Sequence, residues 1–79
     1  VAGNKKEEAL KAEELQVARA VVKSYAVCVK DMEMCVEWCK KDYPGVPISS
    51  LETGIYYMTR RQAYWKDRID QTINPKLEN

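Results

Sequence analysis

Histidine is absent from this chain of 79 residues. That excludes a histidine general acid or base, a histidine-ligated haem and a Glu-x-x-His di-iron site. An excess of one charge is also lacking: 13 basic and 12 acidic residues leave a net charge of +1. A nucleic-acid binder usually shows a basic patch or stripe over a positive background, so that class is disfavoured. No apolar run is long enough to span a bilayer. Val1 to Lys6 is polar and lacks the apolar stretch of a signal peptide. Glycine and proline are scarce, at three each, and neither occurs between Leu15 and Tyr43. Cysteine is present in an odd number, three. A secreted disulfide scaffold normally has an even count, so the thiols point toward a reducing compartment or one intermolecular bond.

What is present is a heptad pattern. Leu15, Ala18, Val22, Tyr25, Val29, Met32, Val36, Cys39 and Tyr43 recur in alternating steps of three and four. That is the a/d seam of an amphipathic helix, whereas a strand would alternate every second residue. Ahead of it, Lys5 to Gln16 is rich in strong helix formers but carries a thin apolar stripe. It is expected to be helical from an N-cap at Asn4 and to project. The first helix thus covers about residues 5–42. It should stop before Pro44, because the residue preceding a proline is pushed out of the α region. Residues 43–49, with Pro44, Gly45 and Pro47, form the connector. Ser49 or Ser50 should cap the second helix, with Ser49 and Glu52 spaced as a capping box.

The second helix is expected over about residues 50–73, followed by a tail at 74–79. Its seam is Leu51, Ile55, Met58, Gln62, Trp65 and Ile69. Gly54 lies in its first turn at a cost of roughly 1 kcal/mol. Folding at the connector and pairing the seams antiparallel sets Cys39 against Ile55, Val36 against Met58, Met32 against Gln62, Val29 against Trp65 and Tyr25 against Ile69. The expected fold is all-α: one domain, an antiparallel two-helix hairpin with a long first helix that overhangs a shorter second. At this size, near the lower limit for a self-sufficient core, completion into a bundle by self-association or a protein partner is expected.

A second stripe, Val17, Val21, Cys28, Cys35 and Trp38, flanks the first seam. On the corresponding side of the second helix, Tyr57, Arg61, Tyr64 and Arg68 recur at helical spacing. Trp, Tyr and Arg dominate interface hot spots. Val21, Cys28, Cys35, Trp38, Tyr57, Arg61, Tyr64 and Arg68 are therefore the candidate partner-binding residues. In the bland alternative, arginine stems and tyrosine rings merely cover the groove. Gln62, the one polar seam residue, either fixes register or reaches solvent. Arg60 and Arg61 beside tyrosines could stack bases, and Glu33 and Glu37 form an i,i+4 carboxylate pair. Neither is supported by a further motif.

Cys28, Met32, Cys35 and Cys39 lie in one wedge of the first helix. Soft sulfur ligands suit Cu(I) or Zn, although small, adaptable core residues are the commoner use of Cys and Met. The Cys35-x-x-x-Cys39 spacing resembles motifs lining helical copper-storage bundles, which carry many more cysteines. It is also half of the twin motif of small mitochondrial intermembrane chaperones. A hairpin of this length with a Pro44-x-x-Pro47 connector looks like type III secretion needle subunits. Three cysteines and a rich aromatic content depart from that pattern. These resemblances imply shape, not activity. The reading is a non-enzymatic structural or assembly protein without a cofactor. The alternatives are an inhibitor or immunity-type module blocking a partner through its Tyr/Arg/Trp face, and a thiolate metal protein.

Overall fold

The computed structural model describes residues 9–74. The expected cap at Asn4, helical residues 5–8 and the tail from 75 onward lie outside them. The described residues form two helices, α1 (Ala12–Asp42) and α2 (Ser49–Ile73), packed antiparallel as an all-α hairpin with the first longer than the second.

α1 starts later than its helix-forming composition suggests. Lys11 is extended, with φ −73° and ψ 164°. Its N–H donates to the Glu14 carboxylate at 2.9 Å, which satisfies a donor that the helix start leaves over. Just before it, the Leu10 N–H donates to Thr72 Oγ1 at 3.0 Å. Thr72 Oγ1 itself donates to the Arg68 carbonyl at 2.9 Å. The chain entering α1 is therefore tied to the last turn of α2. The expected overhang is not formed at this end, because residues 9–11 leave the helix to reach α2. Glu13 and Glu14 in the first turn and Lys40 and Lys41 in the last complement the helix dipole.

α1 ends as its sequence requires. Tyr43, preceding Pro44, has φ −137° and ψ 59°, and its N–H closes the last turn on the Cys39 carbonyl at 2.8 Å. The Val46 N–H then reaches the Tyr43 carbonyl at 3.0 Å, making a turn. The start of α2 departs from the expected capping box. Ser49 is already the first helical residue, and the cap is Ile48, without a side-chain cap. The Ile48 carbonyl accepts the Glu52 N–H at 3.0 Å. Ile48 is half-buried, so anchoring the apolar residue moves the helix start one position ahead of the serine pair. α2 ends at Asn74, whose N–H bonds the Asp70 carbonyl at 2.7 Å before Pro75.

The core follows the heptads. From Leu15 to Cys39, every residue of the α1 seam is half-buried or buried, and only Tyr43 of the seam is exposed. All six α2 seam residues are half-buried. Ala18, 0% exposed, and Val36, 7% exposed, are the two buried hydrophobic residues.

The register differs from the expected one. Gln62 Nε2 donates to the Val22 carbonyl at 3.3 Å, ten residues from its expected neighbour Met32. Met32 instead faces Gly54, where an added Cβ would lie 2.6 Å from the Met32 Cε. Displacements of eight to ten residues correspond to roughly 12–15 Å along the axis, at about 1.5 Å per residue. The connector explains the shift. Residues 43–48 separate the helices with a turn at Tyr43–Val46 and further non-helical residues to Ile48, enough chain to let α2 begin beside an earlier turn of α1. The slide keeps both seams facing each other, because they repeat. It places two small residues at the contact, Ala18 sealed from solvent and Gly54 under a methionine.

Because Ala18 has no exposed surface, Ala18→Leu should lower stability by about 1–3 kcal/mol through overpacking. Urea unfolding followed by circular dichroism checks this. A loss below about 0.5 kcal/mol would show that the helices are not in tight contact there.

Candidate functional site

Two helices laid side by side leave a furrow on each flank of their contact. One furrow is apolar, about 370 Å³, and lined by Val17, Ala20, Val21, Ser24, Tyr25 and Cys28 of α1 and Met58 of α2. The other, about 550 Å³, is lined by Met34, Val36 and Ile55 with a charged rim of Lys30, Glu33, Glu37 and Glu52. Glu33 and Glu37, the carboxylates four residues apart, thus belong to an open, solvent-facing rim.

Of the expected partner-binding residues, Val21 and Cys28 line the apolar furrow together. Cys35 is half-buried and is not part of that lining. Trp38 is exposed and sits elsewhere. Its ring meets Tyr43 edge-on, with centroids 5.7 Å apart and planes at 80°.

The α2 residues build a ladder of their own. The Arg61 guanidinium lies 4.6 Å from the centroid of the Tyr64 ring. Arg68 Nη1 donates to Tyr64 Oη at 3.3 Å. Tyr64 meets Trp65 edge-on at 5.2 Å. These contacts hold Tyr64 and Arg68 half-buried. Arginine over a tyrosine face is an attractive arrangement of about 0.5–1 kcal/mol at an exposed site. The ladder fixes the rings and cations without hiding them. Tyr57 stays exposed, edge-on to Tyr56 at 5.1 Å. Arg60 Nη1 donates to Tyr56 Oη at 2.8 Å. Both arginines that could have stacked bases are thus engaged by tyrosines of their own helix.

The sulfur atoms do not share one setting. The Met32 thioether is turned to Gly54, in the helix contact. Cys28 is exposed, and Cys35 and Cys39 are half-buried, all as free thiols. Among the described residues, no group of three or more His, Cys, Asp and Glu is placed to hold a metal ion.

Val27 and Met34, not singled out in the sequence, are among the most exposed large hydrophobic residues. Each is flanked by charged or small residues, so neither stands out from local hydropathy. Their signal is periodic. The chain matches no protein-family model, no curated protein and no solved structure.

The thiols give a direct check of this arrangement. Cys28 should be alkylated by maleimide several-fold faster than Cys35 and Cys39, following their exposure. Time-resolved peptide mass spectrometry reads the order. Equal rates at all three would mean that Cys35 and Cys39 are not shielded as the fold places them.

Proposed function

We propose that this chain is a non-enzymatic structural or assembly protein, a helical-hairpin subunit that acts through protein–protein contacts. The observation that carries the reading is an imbalance. Among the described residues, two hydrophobic residues are buried, while nine large ones keep from 48% to 65% of their surface in water. Apolar area left in water is worth about 25 cal/mol per Å² when a partner covers it. Where such residues join into a contiguous apolar patch, they mark an interaction surface. The residue types also suit an interface, with Trp38, Tyr57, Arg61, Tyr64 and Arg68 at or near the surface. The partner is a protein, either a second copy or another chain of a larger assembly. No helix among the described residues is long and apolar enough to cross a membrane.

Thermal unfolding across a hundredfold range of protein concentration tests the reading. Association of folded subunits raises the midpoint with concentration by mass action. A rising midpoint, or a low and constant one that climbs only when a cognate partner is added, is expected. A cooperative midpoint above about 65 °C, independent of concentration, would show a self-sufficient domain and overturn the proposal.

A further inference from the structure

We infer that the apolar furrow between α1 and α2 takes an amphipathic helix of another protein, one that carries carboxylates beside its apolar stripe. The inference rests on the assembly reading above and names the partner's chemistry. The net charge of +1 conceals a segregated distribution. Between Glu14 and Asp31, α1 contains no carboxylate, only the cations Arg19, Lys23 and Lys30. Between Glu52 and Asp67, α2 contains none either, only Arg60, Arg61 and Lys66. The fold sets these stretches side by side, because Gln62 bonds the Val22 carbonyl and Gly54 lies under Met32. Six cations therefore girdle one length of the hairpin, all of them exposed. Arg19, Lys23, Arg60 and Arg61 have no carboxylate three or four residues away on their own helix, the spacing at which helical side chains meet. The tyrosines that engage Arg60 and Arg61 leave their charge in place.

The furrow of about 370 Å³ lies inside this band, lined from Val17 to Cys28 on α1 and by Met58 on α2. A cation stands on each wall: Lys23 is one turn from Ala20, and Arg61 is one turn from Met58. The opposite furrow carries Glu33, Glu37 and Glu52 on its rim, so the two flanks suit different partners. Val17 to Cys28 spans roughly 16 Å, or about three helical turns, at about 1.5 Å per residue. A helix of that length lays an apolar stripe into such a groove and keeps its backbone hydrogen bonds internal. An extended strand would set its own N–H and C=O groups against the apolar floor without partners. A phosphate backbone would meet the cations but offer nothing to the valines. A second copy laid on the furrow about a two-fold axis would set one cationic band against the other. A helix with Glu or Asp beside its apolar stripe satisfies both the floor and the band.

Selection of helical peptides by the full chain in reductant tests this. The library fixes leucine at the a and d positions of successive heptads and draws the flanking positions equally from Glu, Gln and Lys. Glu should be enriched over Lys by about threefold or more. A selected peptide should lose about tenfold in affinity to Arg61→Glu and to Ser24→Glu, each with unchanged helix content by circular dichroism. Both residues are exposed, and Ser24 lines the furrow. Glu37→Gln, in the opposite furrow, should leave the affinity unchanged. No enrichment, enrichment of Lys, or full affinity in Ser24→Glu overturns the inference. So does equal competition by polyglutamate, which has the charge without the apolar stripe. Displacement of the peptide by oligothymidylate or by phosphatidylserine vesicles would assign the band to nucleic acid or to an anionic membrane. A dimer in sedimentation equilibrium that Ser24→Glu abolishes would assign the furrow to a second copy. Each of these outcomes overturns the acidic helix as occupant. Failure of the assembly reading itself appears separately, as a concentration-independent midpoint above about 65 °C.

Discussion

Two helices touch along a single line, and every other feature of this protein follows from that constraint. A seam residue on such a line has a neighbour in front and water at its sides. The α2 seam accordingly contains no buried residue, although all six of its members face α1. The helices themselves are cheap to form, because their backbone hydrogen bonds are local and α1 contains no glycine or proline. Their mutual placement is the costly part. It depends on a few points of close approach: Ala18 without exposed surface, Met32 over Gly54, and Gln62 on the Val22 carbonyl.

Those points explain what could be read in the sequence and what could not. The two helices, their antiparallel packing and the identity of the seam residues were legible, because a heptad repeat declares its own face. The register was not, because a repeat looks the same after it slides. Only residues that break the repeat can fix it, and their meaning depends on what lies opposite. Gly54 reads as a defect in helix propensity, yet it is the space occupied by the end of Met32. Gln62 reads as an ambiguous polar residue, yet its amide spans the hairpin. Local signals failed where a tertiary contact competed with them. Ser49 and Glu52 have capping-box spacing, but Ile48 takes the cap. Residues 9–11 follow helix-forming composition, but Leu10 bonds Thr72.

The candidate surface was legible in part for the same reason. Val21 and Cys28 were placed on the correct flank by helical geometry, and the structure brings them into one apolar furrow. The Tyr/Arg stripe of α2 was visible from its spacing. That Arg61 and Arg68 would engage Tyr64 within the chain was not, because it depends on rotamers rather than on position. Val27 and Met34 were missed because charged and polar residues share their stripe.

The two helices are unequal in what they leave exposed. The back of α2 is largely polar: Thr59, Arg60, Lys66, Asp67 and Asp70 are all exposed, and Gln71 bonds Asp67 along it at 2.9 Å. Water suits those residues, while Tyr56 and Tyr57 of the same helix keep apolar surface exposed. The back of α1 instead exposes valines, Met34 and Trp38. Exposed apolar surface thus lies on both helices, on Val17, Val27, Met34 and Trp38 of α1 and on Tyr56, Tyr57 and Ile73 of α2. Polar residues at single seam positions act on orientation more than on strength. Gln62 does so on the α2 seam through its backbone partner.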